Sequence, residues 1–124
     1  MKAREINPTD LNSINHWLEL RAHEPMNIDA LPKYGCIVPG VAAGFLRRVE
    51  GGYGIFDGLV TNPHCSSKTR NAALEAVVAT IITKAEQIGM IGVIGWSVDI
   101  GTLKRAQSVG FEAIPEQLIF KELK

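Results

Sequence analysis

The stretch Leu59–Ile88 constrains the fold more than any other part of the sequence, because an apolar run passes through a polar turn into a long amphipathic helix. Charged residues such as Glu75, Lys84 and Glu86 fall on one side of this helix. Apolar residues recur with the 3.6-residue period on the other side, which predicts a buried face. That predicted face consists of Leu74, Val77, Val78, Ile81, Ala85 and Ile88.

The polar turn before this helix has the features of an anion site. The hydroxyl groups of Ser66, Ser67 and Thr69 can cap the first backbone N–H groups, and Lys68 and Arg70 add positive charge. Free N–H groups and the helix dipole converge at a helix N-terminus, which favours an anion there. An ordinary capped core helix explains the same residues, and the turn alone favours that interpretation.

Length, charge and cysteine content restrict the class of protein. The 124 residues predict one domain, 1–124, and 13 basic residues balance 13 acidic ones, so we expect neither nucleic acid nor an anionic membrane as partner. No apolar run approaches the length of a membrane span, and residues 1–10 lack the apolar segment of a secretory signal. Cys36 and Cys65 are too few for a disulfide framework. We therefore expect a cytoplasmic protein with reduced thiols.

Strand and helix patterns alternate along the rest of the chain. They predict strands at 3–6, 34–38, 41–49, 53–61, 90–98, 111–114 and 117–123, and helices at about 11–22, 69–88 and 102–108. The turn Gly51-Gly52 predicts an antiparallel hairpin. Gly58 indicates either a bulge or a place where another backbone or a ligand comes close. The nearly continuous apolar run 90–98 is typical of a strand covered on both faces. This order predicts an α/β (α+β) fold with a mixed central sheet and helices on both faces.

The order of elements and several residues resemble the GNAT superfamily of acetyl-CoA-dependent N-acetyltransferases. Val60, Pro63 and Leu74 fall at the spacings of that family's central strand end and following helix. The segments 90–98 and 102–108, followed by Gly110-Phe111, resemble the family's later strand, short helix and Gly-Phe before a closing hairpin. A narrower resemblance is to small acetyltransferase-like proteins of tailed phages.

The resemblance implies an acetyl-CoA site in the opening between strands 53–61 and 90–98. The acetyl carbonyl would be held by a backbone N–H near Leu59 or Val60. The cofactor's pyrophosphate would lie on the residues around the start of the helix, namely Ser66, Ser67, Lys68, Thr69, Arg70 and Asn71. The acceptor would be a small-molecule or protein amine that the sequence does not identify, and the protein would be a monomer or a homodimer.

Several residues depart from the family pattern. Ser66, Thr69 and Asn71 occupy the three signature positions of the phosphate loop, where the family has a long Gln or Arg, then Gly, then Gly or Ala. A side chain in place of glycine opposes close approach of the phosphate to the backbone. Ala106 stands where the family often has a Tyr general acid, and Asp99 where an Asn often begins the helix.

Asp57 and Ser97 are the catalytic candidates. The resemblance places Asp57 on the strand that flanks the acyl group, where a buried carboxylate can act as general base, directly or through water. The alternative is a solvent-facing strand residue. Because Ala106 has no proton to give, Ser97 or solvent would protonate the departing thiolate.

Other reactive or bulky residues receive less specific interpretations. Cys65 precedes a helix N-terminus, which can favour a thiolate, but a small buried filler is the simpler reading. Arg47 and Arg48 could contact CoA phosphates or an acidic acceptor, although a solvated strand edge explains them. Trp96 is expected in the core, with a narrowing of the cleft as the alternative. No spacing typical of metal ligands, and therefore no metal site, is found among the three histidines and two cysteines, His16, His23, His64, Cys36 and Cys65.

Two functions remain open at this point. In the first, the protein is an N-acyltransferase that moves an acetyl group from acetyl-CoA to an amine, and the intact order of elements favours it. In the second, the cofactor site has decayed and the fold serves as a binding or assembly module, which the missing loop glycines and Ala106 favour.

Overall fold

Five strands and three α-helices form the fold in the residues that the computed structural model describes, 1–97 and 100–123. The strands are β1 (Arg4–Glu5), β2 (Tyr34–Val38), β3 (Ala42–Val49), β4 (Tyr53–Thr61) and β5 (Gly92–Ile94). The helices are α1 (Leu11–Leu20), α2 (Ser67–Gln87) and α3 (Ile100–Ser108), with short 3-10 helices at Pro8–Asp10 and Ile28–Ala30. No helix among these residues is long and apolar enough to cross a bilayer.

The strands form one mixed sheet in the order β1-β2-β3-β4-β5. The first four are antiparallel to their neighbours, and β5 runs parallel to β4, which confirms the predicted mixed sheet. Pairing between β4 and β5 ends at Ile55 and Ile94, although β4 continues to Thr61. Beyond this last pair the described residues of the two segments form no ladder, which leaves room for the strands to separate.

Helices cover both faces of the sheet, as predicted. Alternate strand residues point to opposite sides, so that on β2 Cys36 faces α2 whereas Ile37 faces α1. On the α2 side, the helix contributes Ala73, Val77, Ile81 and Ala85 to the core. On the α1 side, the helix contributes Ile14, Trp17 and Leu18. The predicted α2 face is correct except that Leu74, Val78 and Ile88 are half-buried and Ala73 is buried instead.

A β-bulge at Gly58 interrupts the β3–β4 ladder. The register passes from the pair Phe45–Asp57 to the pair Ala43–Val60, so two residues of β4 stand opposite one residue of β3. Gly58 has a φ of +60°, and a Cβ there would lie 3.0 Å from the ring of Phe45. A side chain at position 58 would therefore be strained, and the register shift confirms the predicted bulge.

All three helices end in a Schellman motif, which needs a residue in the left-handed region after the helix. In α3, Gly110 has a φ of +97° and donates to the carbonyl of Gln107, while Phe111 donates to that of Ala106. Gly89 has the same role after α2, with a φ of +78°. After α1 this position is taken by Ala22, with a φ of +57°, where the side chain adds strain.

Replacing Ala22 by Gly should therefore raise the free energy of unfolding. The strain of an alanine in this region is about 1–2 kcal/mol, and the greater freedom of glycine in the unfolded chain offsets about half of it, leaving a gain of up to about 1 kcal/mol. Urea denaturation measures the change. Ala72→Gly, on the exposed side of α2, is the matched control and should cost about 1 kcal/mol. A loss of stability in Ala22→Gly would contradict the assigned helix end.

The prediction of the sheet is wrong in its C-terminal part. The run 90–98 forms a strand only at Gly92–Ile94, with Val98 outside the described residues, and 111–114 and 117–123 form no strand among those residues. The helix start predicted at Asp99 also lies outside them. An apolar, alternating segment favours an extended chain, but a strand forms only where a partner offers its N–H and C=O groups.

Candidate active site

The candidate catalytic residues lie where β4 and β5 part. Ser97 and Gly58 each stand three residues beyond the last β4–β5 pair, Ile55 and Ile94, and Asp57 precedes Gly58. The bulge bends β4 at this level, which helps to separate the strands. Both predicted catalytic residues therefore follow the last β4–β5 pair in their own segments.

The residues next to this opening differ in exposure. Leu59 is 39% exposed, whereas the side chain of Val60 is buried in the cluster beneath α1. Only the backbone of Val60 can therefore face a ligand. Trp96 is 56% exposed, so its assignment to the core is wrong, because the short β5 and the segment after it do not cover the indole.

Asp57 forms an ion pair with Arg47. Arg47 Nε donates a hydrogen bond to Asp57 Oδ2, and Arg47 Nη2 lies 3.4 Å from the carbonyl oxygen of Ala30. The Asp57 side chain is 37% exposed, so the burial that we expected of a general base is absent. The pair connects β4 with the loop before β2, and it fixes the carboxylate at the side of the opening.

Arg47 is exposed and lies beyond the last β2–β3 pair, Tyr34–Leu46, which agrees with the solvated strand edge that the sequence favoured. A signal for the ion pair was present in the hairpin. Val49 pairs with Tyr53 across the Gly-Gly turn, so Arg47 pairs with Ile55 and is diagonal to Asp57. Counting back from the turn would have placed these two side chains on the same face.

The N-terminus of α2 leaves two backbone donors without a partner. Ser66 is the N-cap, since its Oγ accepts a hydrogen bond of 3.2 Å from the Thr69 N–H and donates one of 2.9 Å to Thr69 Oγ1. The Arg70 N–H donates to the carbonyl oxygen of Ser66 at 2.9 Å. Within the described residues, the N–H groups of Ser67 and Lys68 have no hydrogen-bond acceptor. They point with the helix dipole toward an anion position.

Arg70 forms hydrogen bonds with the loop that leads into α2. Its Nη1 donates to the carbonyl oxygens of Cys65 at 2.8 Å and Pro63 at 3.3 Å, and its Nη2 donates to Ser67 Oγ at 3.2 Å. These hydrogen bonds use the guanidinium N–H groups within the protein. The positive charge of Arg70 nevertheless lies beside the helix N-terminus. Lys68 is exposed, so its ammonium group can reach a ligand directly.

Arg105 contacts the predicted phosphate-binding segment, a contact that the sequence did not reveal. Its Nη1 donates a 3.0 Å hydrogen bond to Asn71 Oδ1, and its Nη2 lies 3.4 Å from Thr102 Oγ1. The contact joins α3 to the first turns of α2 and brings a second guanidinium beside Asn71. Thirty-four residues separate the partners, so no local pattern marks the contact.

Both cysteines contact backbone carbonyl oxygens. Cys36 is buried and its Sγ donates to the carbonyl oxygen of Val77 at 3.5 Å. Burial raises the pKa of the Cys36 thiol to about 12, so it is not a nucleophile at neutral pH. Cys65 is half-buried, with Sγ 3.5 Å from the carbonyl oxygen of Gly40. Within residues 1–97 and 100–123, no three His, Cys, Asp or Glu side chains are grouped as a metal site requires.

Comparison with known proteins connects the fold to acetyltransferases. No family model and no curated protein matches the sequence. Among solved structures, an acetyltransferase of Trypanosoma brucei is 17% identical with a TM-score of 0.71, over 98% of this chain and 99% of that one. An aminoglycoside N-acetyltransferase solved with CoA is 19% identical, with a TM-score of 0.69 and 99% of both chains covered. Glucosamine-6-phosphate N-acetyltransferase from Arabidopsis thaliana is 12% identical, with a TM-score of 0.69, over 99% of this chain and 98% of that one.

The chain thus has the fold of GNAT acetyltransferases, and the match extends over nearly its whole length. This confirms the fold class that the sequence predicted. At these identities the likeness concerns the fold, and the chemistry must be argued from the residues of this chain.

Proposed function

We propose that this protein is an N-acetyltransferase that binds acetyl-CoA between β4 and β5 and transfers the acetyl group to an amine. One observation carries the proposal. Beyond its last pair with β5, β4 runs on to Thr61, six residues before α2 begins, and the Ser67 and Lys68 N–H groups at the start of α2 have no acceptor within the described residues. A fold shared with an aminoglycoside N-acetyltransferase solved with CoA supports the proposal that one CoA molecule contacts both regions.

The residues at the α2 N-terminus fit a phosphate despite the missing glycines. The side chains of Thr69 and Asn71 are engaged by Ser66 and Arg105. Recognition of the pyrophosphate would therefore rest on the N–H groups of Ser67 and Lys68, on the Lys68 ammonium, and on the nearby guanidinium of Arg105. When bound, acetyl-CoA supplies the acetyl thioester at the opening.

Asp57, Leu59 and Ser97 would act on the reacting atoms. Asp57 accepts the proton of the acceptor amine, directly or through water, while Arg47 holds the carboxylate in place. A backbone N–H near Leu59 or Val60, at the bulge, stabilises charge on the acetyl oxygen. Ser97, on the opposite side, delivers a proton to the departing sulfur, with solvent as the alternative donor.

Replacing Asp57 by Asn should lower the acetyl transfer rate by at least about 100-fold, because a general base contributes a factor of about 100–10,000. Asn keeps an oxygen that accepts the bond from Arg47, so the fold is retained. Release of the CoA thiol is measured with glucosamine-6-phosphate, an aminoglycoside and a lysine peptide as acceptors. Glu50→Gln, in the exposed hairpin turn, is the charge-matched control and should leave the rate unchanged. Equal rates in parent and Asp57→Asn would remove Asp57 from the mechanism.

A module without transferase activity is the second candidate. Arg70 is engaged by loop carbonyls, and Ala106 offers no proton at the position where the family often has a Tyr. On this alternative the folded parent binds no acetyl-CoA, so a binding measurement distinguishes the two candidates.

A further inference from the structure

The guanidinium of Arg47 keeps hydrogen-bond donors that no described residue uses. Its Nε donates to Asp57 Oδ2, and one N–H of Nη2 donates to the carbonyl oxygen of Ala30 at 3.4 Å. Nη1 has no acceptor within the described residues, and Nη2 retains a second N–H. Together Nη1 and Nη2 form the end of the guanidinium, which matches the two oxygens of a carboxylate. Arg47 can therefore bind Asp57 and a second carboxylate at the same time.

This end of the guanidinium is accessible to a small molecule. The side chain of Arg47 is 45% exposed and that of Asp57 is 37% exposed. The pairing of β3 with β2 ends at Leu46, one residue before Arg47, so no described residue of β2 stands opposite Arg47. Asp29, which precedes Ala30 in the chain, forms no ion pair within the described residues. No described carboxylate other than Asp57 therefore neutralises this arginine.

The connection between α1 and β2, residues 21–33, is fixed beside this ion pair. Asn15 on α1 accepts a 2.8 Å hydrogen bond from the Met26 N–H, and its Nδ2 donates to the Met26 carbonyl oxygen at 3.2 Å. Met26 also reaches the bulge, since a Cβ on Gly58 would lie 3.1 Å from Met26 Cε. Further along, the connection contacts Arg47 through the carbonyl oxygen of Ala30. It therefore forms a wall that runs from the bulge beside Asp57 to Arg47.

We propose that the acceptor is a small amino acid, whose carboxylate binds Nη1 and Nη2 of Arg47 and whose amino group faces Asp57. This inference rests on the proposed transferase function. The two charges of the amino acid are opposite to those of Asp57 and Arg47, so each meets its complement. The nitrogens of the guanidinium share one carbon atom, so its two carboxylate partners lie close together. Only a few bonds can therefore separate the amino group of the acceptor from its carboxylate.

Arg47 also discriminates against acceptors of other charge. An amine without an acidic group brings a second positive charge beside the guanidinium, and like charges repel at this distance. A phosphate carries more negative charge than the pair can balance, because Asp57 already neutralises Arg47. A single carboxylate leaves the group of charges neutral once the ammonium is counted. Arg47 therefore determines the specificity for the acceptor in addition to holding Asp57.

Alanine and alaninamide test the inference, because both carry the same amine and only alanine has a carboxylate. With acetyl-CoA as donor, the parent should have a kcat/KM at least about 10-fold higher for alanine, since a hydrogen bond to a charged group is strong. In Arg47→Gln this preference should disappear. If Arg47 only held Asp57 in place, the variant would lose activity with both acceptors equally and the ratio would stay the same. The ratio therefore separates recognition of the acceptor from support of Asp57.

Arg48→Gln is the matched control, because Arg48 is the next residue of β3 and points to the opposite face, so the preference for alanine should remain. Equal rates of the parent with alanine and alaninamide, or an unchanged ratio in Arg47→Gln, overturn the inference and leave the transferase function standing. Faster transfer to glucosamine-6-phosphate than to alanine also overturns it, in favour of a phosphate. Transfer to none of these amines overturns the transferase function and the inference together. The ratio of the parent decides alone if Arg47→Gln does not fold.

Discussion

Replacing Ile81 by Ala should lower the free energy of unfolding by about 2–5 kcal/mol. Ile81 is 3% exposed and lies on α2 between Val77 and Ala85 in the core cluster. The strand beneath cannot fill the cavity, because Gly44 is the residue that Ile81 approaches, and a Cβ on Gly44 would lie 3.2 Å from Ile81 Cδ1. The helix would therefore lose contacts that no neighbouring side chain replaces.

Urea denaturation of the parent and of Ile81→Ala measures this effect. Ile28→Ala is the matched control, because Ile28 is 55% exposed and its change should stay within about 0.5 kcal/mol. A shift below about 0.5 kcal/mol for Ile81→Ala would mean that this face of α2 does not lie on the sheet.

Replacing Ser67 by Pro should weaken acetyl-CoA binding by about 10- to 100-fold while leaving the fold intact. The substitution removes one N–H group that has no acceptor within the described residues, and a hydrogen bond to a charged group contributes about 1.5–3 kcal/mol. Ser67 is the first residue of α2, a position where proline is well tolerated. Ser66 already has the extended backbone that a following proline requires, with φ −64° and ψ 156°.

Ser67→Ala is the control for this substitution, because it keeps the N–H group and removes only the hydroxyl that accepts from Arg70. Calorimetric titration compares the three proteins, and their urea denaturation curves should be similar. Equal affinities for Ser67→Pro and Ser67→Ala would mean that the first N–H group of α2 does not contact the cofactor.

Elements specified by local pattern were predictable from the sequence. The bounds of β2 and β4 agree with the prediction, and α2 begins two residues earlier than predicted. Strand alternation, a Gly-Gly turn and a 3.6-residue period are carried by neighbouring residues, so they can be read without knowing the fold. The glycine at position 58 was likewise informative, since it adopts a positive φ at the bulge.

The end of the sheet was not predictable in the same way. The run 90–98 and the segment 111–123 have strand composition, yet only Gly92–Ile94 pairs within the described residues. Whether an extended segment becomes a strand depends on which edge is available to it, and that edge can belong to another molecule. The apolar composition of these segments indicates that another element covers them, but it does not identify that element.

The candidate site was only partly predictable for a related reason. The residues around the start of α2 were identified because a capped helix has a local signature. The pairs Arg47–Asp57 and Arg105–Asn71 depend on strand register and on the packing of α3. When two partners lie far apart in the chain, neither segment contains a local pattern that predicts their contact.

Calorimetric titration of the unmodified protein with acetyl-CoA tests the central claim most directly. The account predicts saturable binding of one acetyl-CoA per chain, weakened by added salt because the proposed contacts are to phosphate groups. A protein with the circular dichroism of the folded chain that binds no acetyl-CoA would contradict the account and leave the fold as a binding module.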